Sequence, residues 1–348
     1  MNFFRRRPPK QENGPVTLKR QEKKVVEELY QLLCIHGEEI IRGKTTLSLT
    51  TPILISLNQL FKHVTDGANH SDFQVIKNNQ ALDEPITFIF DFVQKAVSLK
   101  IISGPISGDS PWLKIGHFKC LQVLEVRKVP IQFIKELTIF RRELRTLICC
   151  RSTNSIEQVV RQFGKESESL LSIPGLKTLN LSYNTIRQID ESVVYLPSLE
   201  ILDLSFNCLV SAHSNHLPGL SNLNLGYNMI KEVPYFPQQL SKTLTCLILR
   251  NNNISSLEGI EMLSALEQLD MTSNCIMDVS ILAPLAHLHH LYSIALLENP
   301  ISYFPTYRLS VISKMSPVKR RQPVKLDGKK LDQHESYVSF YRCLILFP

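Results

Sequence analysis

The chain has 348 residues, 43% of them hydrophobic and 20% charged, with a mean hydropathy of −0.03. These values belong to a soluble globular protein of one large or two ordinary domains, and they exclude a disordered, fibrous or membrane-embedded chain. The net charge of +7 is concentrated at two ends: residues 1–24 and 314–330 each carry +6, so the remainder sums to −5.

The first residues, MNFFRRRPPKQENG, hold arginines but no apolar run after them, so they do not read as a secretory signal. Residues 1–16 read as a disordered basic leader, and RRRPPK as a solubilising stretch rather than a lipid- or acid-binding motif. No run is long and apolar enough for a transmembrane helix, and the CLILFP tail is far too short. The eight scattered cysteines fit free thiols in a reducing compartment better than a disulfide framework. The expected location is cytoplasmic. Asn-x-Ser sequons at Asn69, Asn180 and Asn253 are read as accidents of composition and of the repeat described below.

Residues 17–100 are expected to form a helical N-terminal cap. Val25, Leu29, Leu32, Leu33 and Ile40 recur at helical spacing. Thr51-Pro52 predicts an N-cap and first-turn proline opening a second helix through Ile53, Leu57, Leu60, Phe61 and Val64. The stretch ITFIFDFVQKAVSLKII (86–102) reads as a helix running into a first strand. Residues 66–84 and 103–111 read as loops.

One phrase then returns six times between residues 176 and 301: LKTLNLSYNTI, LEILDLSFNCL, LSNLNLGYNMI, LTCLILRNNNI, LEQLDMTSNCI and LYSIALLENPI. Its asparagines stand at 184, 207, 228, 252, 274 and 299. Their spacing of 21 to 25 residues is that of the leucine-rich repeat, L-x-x-L-x-L-x-x-N-x-I/L. Two degenerate copies precede these, LQVLEVRKVPI (121–131) and LRTLICCRS (144–152), with Val129 and Ser152 where asparagine is expected. The expected fold is therefore an α/β solenoid, a horseshoe of about eight repeats of the 22-residue class over residues 101–301. By strand alternation Cys149 points into the core and Cys150 outward. C-C lacks the C-x-x-C redox spacing, and no Cys/His cluster stands at zinc spacing.

Residues 302–335 are expected to cap the far end. Tyr307, Leu309, Val311 and Ile312 predict a short helix over the last strand, with Leu326 as a further apolar plug. N-P-x(n)-Y-R…L-D-G resembles the C-terminal cap of intracellular leucine-rich repeats. Residues 336–348 read as a tail.

No phosphate loop, dinucleotide fingerprint, nucleophile elbow or H-E-x-x-H motif is present. The sequence therefore predicts no enzyme, cofactor or metal centre. His287, His289 and His290 read as a solvated turn on the convex side. Function is expected on the concave face, where Ile201, Asp203, Asn224, Ile248, Arg250, Gln268 and Asp270 are the candidate partner contacts. Residues 176–301 hold five Lys/Arg against eleven Asp/Glu. This acidic, partly apolar arc suits a protein partner and argues against nucleic acid. Tyr183, Phe206 and Tyr227, each one position before the asparagine, read as turn fillers stacked from repeat to repeat.

Four segments have no reason to occur in a generic repeat: TLSLTTPILISLNQLF (46–61), FIFDFVQKAVSLKI (88–101), LRTLICCRS (144–152) and VKLDGKKL (324–331). With the repeats between them, they resemble the N-terminal half of the serine/threonine kinase eleven-interacting (LKB-one-interacting) family, over about residues 25–335. That resemblance implies a non-catalytic cytoplasmic scaffold that binds a tumour-suppressor kinase and influences where it resides, with a Smad protein as a further partner. It supplies no binding residues. It also implies a long C-terminal region that residues up to Pro348 do not contain, so the chain reads as a fragment, a truncated isoform or an incomplete gene model. The competing expectation is another adaptor of the same solenoid class, such as a phosphatase regulatory subunit or a cytoskeletal adaptor.

Overall fold

The computed structural model describes residues 20–66, 80–105, 112–164, 172–214, 216–316 and 323–337. The leader 1–16, most of the tail 336–348 and Asn69 lie outside the described residues. In chain order, α1 (Arg20–Ile41) is followed by β1 (Leu47–Thr50), α2 (Thr51–Asp66), α3 (Gln80–Lys95) and β2 (Ser98–Ile102). Then come β3 (Leu113–Lys114), β4 (Val123–Arg127), β5 (Ile134–Lys135), β6 (Thr146–Cys150) and α4 (Ile156–Arg161). The regular part holds β7 (Thr178–Asn180), β8 (Ile201–Asp203), β9 (Asn222–Asn224), α5 (Gln238–Ser241), β10 (Cys246–Ile248), β11 (Gln268–Asp270) and β12 (Ser293–Ala295). After the last of these come α6 (Tyr307–Lys314), β13 (Lys325–Leu326) and β14 (Lys329–Lys330).

All the strands except β3 and β5 form one sheet of twelve, each beside its predecessor, and parallel until β14 returns antiparallel on β13. One residue of each strand from β1 to β13 aligns across it: Leu47, Leu99, Leu124, Leu147, Leu179, Leu202, Leu223, Leu247, Leu269, Ile294 and Leu326. None is more than 2% exposed. Each such side chain is worth about 2 kcal/mol of apolar burial, and only its neighbours in the stack provide that burial.

The turn after each strand has a fixed conformation. Four residues beyond the aligned leucine or isoleucine, from β4 through β12, stand Lys128, Arg151, Tyr183, Phe206, Tyr227, Asn251, Ser273 and Glu298, all with φ between 52° and 60°. That left-handed geometry turns the chain away from the sheet, and the next residue secures it. Asn207 donates to the carbonyls of Leu204 (3.0 Å) and Ser205 (3.1 Å) in its own turn and to that of Leu181 (2.9 Å) in the preceding repeat. Its Oδ1 accepts from the Ile186 N–H at 3.0 Å. Asn228, Asn252, Asn274 and Asn299 repeat the pattern. Ser152 performs part of it, donating to Val126 O at 3.2 Å, while the Ile131 N–H goes to the main-chain oxygen of Ser152.

The N-terminal region differs from its helical reading. The sheet begins inside it, because β1 pairs with β2 and buries Leu47 and Leu49. A four-residue L-S-L-T alternation between two helices is too short to register as a strand by periodicity. The second helix starts at Thr51, as its Thr-Pro pair predicts, and the Thr51 hydroxyl stands at that start. It accepts from the Gly104 N–H at 2.9 Å, tying α2 to the segment after β2. Residues 80–84, read as loop, belong to α3.

At the other end, Asp327-Gly328 is the hairpin turn between β13 and β14, with φ of 55° and 75°. Asp327 Oδ1 accepts from Leu296 N–H (2.9 Å) and its Oδ2 from the Tyr307 hydroxyl (2.9 Å). The Arg308 guanidinium grips Glu335 with two bonds and reaches Leu326 O at 3.1 Å. Burial and the adjacent Asp327 carboxylate push the Tyr307 phenol well above its ordinary value. The Y-R…L-D-G pattern is thus one connected polar cluster across the last parallel strand.

Candidate interaction surface

Alternation along each strand sends one set of side chains into the core and the other to solvent. Cys149 is buried and Cys150 only half-buried, as the alternation predicts. Burial pushes the Cys149 thiol far up, so it stays protonated and inert.

The seven candidate contacts all fall on the solvent-facing side of the sheet. Ile201 (38% exposed) opens β8, Ile248 closes β10 half-buried, and Arg250 and Gln268 are exposed. Asp203, Asn224 and Asp270 share one register position, the last residue of β8, β9 and β11. Each also has work within the fold. Asp203 Oδ1 accepts from Ser205 N–H at 2.9 Å, Asn224 Oδ1 from Gly226 N–H at 3.0 Å, and Asp270 Oδ1 from Thr272 N–H at 3.0 Å. These Asx bonds start the turn that the left-handed residue continues. Arg250 faces Asp270 at 3.9 Å. On β10, burial raises the Cys246 thiol, with the Asp270 charge adding to the effect.

Beside this face lies a ring stack. Tyr183 and Phe206 are 4.2 Å apart at 9°, and Phe206 and Tyr227 are 4.0 Å apart at 10°. The Arg250 guanidinium lies 5.2 Å from the Tyr227 centroid. Gly226 gives it room, because a Cβ there would meet Arg250 Cγ at 3.2 Å. The rings are stacked because the repeat places each at the same left-handed position on adjacent strands. Lys128 and Arg151 precede them in that row, and sequence reading did not single them out. The missed signal was the residue just before the asparagine position, which the two degenerate repeats fill with cations instead of rings.

The three histidines are all exposed, and His289 Nδ1 meets Ser316 Oγ at 2.8 Å. Among the described residues no group of His, Cys, Asp or Glu is arranged to hold a metal ion, and no helix is long and apolar enough to cross a membrane.

The family model described as LKB1 serine/threonine kinase interacting protein 1 matches residues 20–105, which hold α1 to β2. Leucine-rich-repeat models match residues 166–209 and 215–340. Three similar proteins carry the name serine/threonine-protein kinase 11-interacting protein. The Gallus gallus protein is 32% identical over 317 residues, covering 89% of this chain and 30% of its own length. The Homo sapiens protein is 33% identical over 310 residues, covering 86% and 28%. The Mus musculus protein is 35% identical over 317 residues, covering 88% and 29%. The chain thus spans less than a third of the length of the curated relatives it matches. Among solved structures, a chain of the Drosophila melanogaster SNF/U2A′ complex aligns at 24% identity over 47% of this chain and 82% of that one, at a TM-score of 0.31, which is too low to argue from. By the family model over residues 20–105 and by its relatives, the chain belongs to the family of serine/threonine-protein kinase 11-interacting proteins, with leucine-rich repeats following that first region.

Proposed function

We propose that this chain is a non-catalytic scaffold that binds a serine/threonine kinase of the kind its relatives are named for, and that this contact influences the kinase's cytoplasmic location. In this reading the eight strands β4 and β6 to β12 are eight repeats. Residues 17–100 are the N-terminal cap region and 302–335 the C-terminal cap. The observation that carries the proposal is the exposed face of β8 to β11, where Ile201 and Ile248 interrupt a polar, acidic surface on a rigid sheet. Apolar anchors ringed by polar groups are what a protein partner desolvates on binding.

The test is a pull-down of the purified kinase by the full chain, beside an Ile201→Ser/Ile248→Ser/Arg250→Glu/Gln268→Ala variant. This set avoids the turn-forming Asp203, Asn224 and Asp270, so the fold is kept. Binding by the parent and loss in the folded variant supports the face as the site. Equal binding by both moves the site elsewhere, and no binding by either refutes kinase recognition by this part of the protein. Imaging the tagged kinase with and without the chain reads the effect on location. The same assay with a Smad in place of the kinase tests the second partner class.

A further inference from the structure

Along the row of left-handed turn residues the side chains change character. Lys128 and Arg151 come first, then the rings of Tyr183, Phe206 and Tyr227, then Asn251, Ser273 and Glu298. The ring stack has two different ends. At one, Tyr227 is held between Phe206 and the Arg250 guanidinium. At the other, Tyr183 has Phe206 on one face and is still 47% exposed. Beside it opens a cleft of about 380 Å³ lined by Arg151, Pro130, Gln132, Asn154 and Gln158. The cleft has a cause in the chain. From Ser152 to Asn184 is a step of 32 residues, longer than the 21 to 25 of the regular repeats, and the extra length carries α4 rather than a further ring.

The chain segment that supplies most of the cleft lining is opposite in charge to the sheet face. Residues 112–164 hold ten Lys/Arg against four Glu, a net of +6. Three of those glutamates are already engaged: Glu125 with Lys100 and Arg127, Glu136 with Lys114, and Glu157 with Arg161. Among the described residues neither Lys128 nor Arg151 has a carboxylate partner, and both are exposed.

We infer that this cleft is a docking subsite for an acidic segment of a partner protein that presents an aromatic side chain. The ring continues the Tyr183–Phe206–Tyr227 stack and lies against Arg151, as Tyr227 lies between Phe206 and Arg250. The flanking carboxylates pair with Arg151 and Lys128. Stacking, cation–π contact and charge pairing act together, each strengthened as the cleft loses water. Single-stranded RNA also favours rings and cations, but a phosphate chain continuing along the row would meet Glu298 and pass the sheet face that carries Asp203 and Asp270. The subsite does not depend on which protein occupies the sheet face.

The test pans a random decapeptide display library on the full chain and measures the enriched peptides by fluorescence anisotropy. Arg151→Asn and Tyr183→Asn are the informative variants, because asparagine accepts the left-handed backbone and removes only the cation or the ring. Met262→Ala, on the far side of the repeat, is the control. The expected result is a pool with an aromatic residue flanked by Asp or Glu, bound about tenfold more weakly by either variant and unchanged by the control. The inference is overturned by a pool without that pairing, by no enrichment over empty beads, or by equal affinity for parent and variants. A labelled oligouridylate that outcompetes the peptides and is lost in the same variants would also overturn it, in favour of RNA.

Discussion

The side-chain amide of Asn252 donates to the main-chain carbonyl of Leu225, 3.0 Å away in the preceding repeat, while its Oδ1 accepts from the Ile230 N–H of that repeat at 3.0 Å. One buried side chain thus joins two repeats, and also holds its own turn through Leu249 O at 2.9 Å. A solenoid has no long-range core contacts, so such couplings decide whether its repeats melt together.

Asn252→Ala leaves the Ile230 N–H buried without a partner and the Leu225 carbonyl with only its bond from the Asn228 amide, at a cost of about 2 kcal/mol. Ser152→Ala is milder, about 1 kcal/mol, because Ser152 supplies one cross-repeat bond and the Ile131 N–H is satisfied by main chain. Exposed Asn253→Ala is the neutral control. Thermal unfolding followed by circular dichroism ranks the three. Equal melting temperatures for Asn252→Ala and Asn253→Ala would refute the ladder as a source of stability.

Asp203 separates a structural role from a binding role. Its Oδ1 accepts from both the N–H (2.9 Å) and the hydroxyl (2.6 Å) of Ser205. Asparagine can accept at the same place and alanine cannot. Asp203→Ala is therefore expected to destabilise by about 1 kcal/mol and Asp203→Asn by much less. Chemical denaturation resolves the difference. A partner lost equally in both variants would show that the charge is read, whereas loss in the alanine variant alone would reflect the turn.

The repeat was legible because its leucines and asparagines recur for reasons of packing and hydrogen bonding that apply at every copy. Cys149 was legible for the same reason: the frame around it assigns it a core slot. The strand at Leu47–Thr50 was not, since four residues carry too little pattern and their pairing with β2 depends on chain 52 residues away. The ring stack could be read from Tyr183, Phe206 and Tyr227 alone. The cleft beside it could not, because it exists only where a longer step separates two strands that the sheet brings together. Nor could the sequence show that Asp203, Asn224 and Asp270 each form a turn, because that depends on a local backbone bend.

Cys149 gives a chemical check of the register. Burial raises its thiol pKa, so thiolate is not populated at ordinary pH, and Cys34 and Cys120 are exposed. Brief treatment of the native protein with iodoacetamide near pH 8, read by peptide mass spectrometry, should modify Cys34 and Cys120 and spare Cys149. In denaturant all three should react. Rapid native labelling of Cys149 would mean that the strand is shifted by one residue, which would turn the side chain to the other face.

The Arg308–Glu335 pair sets an acid limit on the C-terminal end. Its hydrogen bond to Arg308 holds the Glu335 carboxyl below the ordinary value of 4.5. A carboxyl depressed in the folded state contributes its full stability above the unfolded value and loses it as pH falls through the folded one. The wild-type chain should therefore hold its melting temperature down to about pH 5 and then lose part of it below about pH 4.5. Glu335→Gln keeps the size but not the charge, leaves Arg308 with a weaker partner, and should cost about 2 kcal/mol at neutral pH. Its melting temperature should also fall less than that of the wild type on acidification, so the two curves converge. Hydrogen exchange at Leu326 and Lys325 localises the effect, with faster exchange expected in Glu335→Gln because β13 is held from that side by Arg308. Parallel acid curves for the two proteins, with no change at β13, would show that the pair does not secure the end of the sheet.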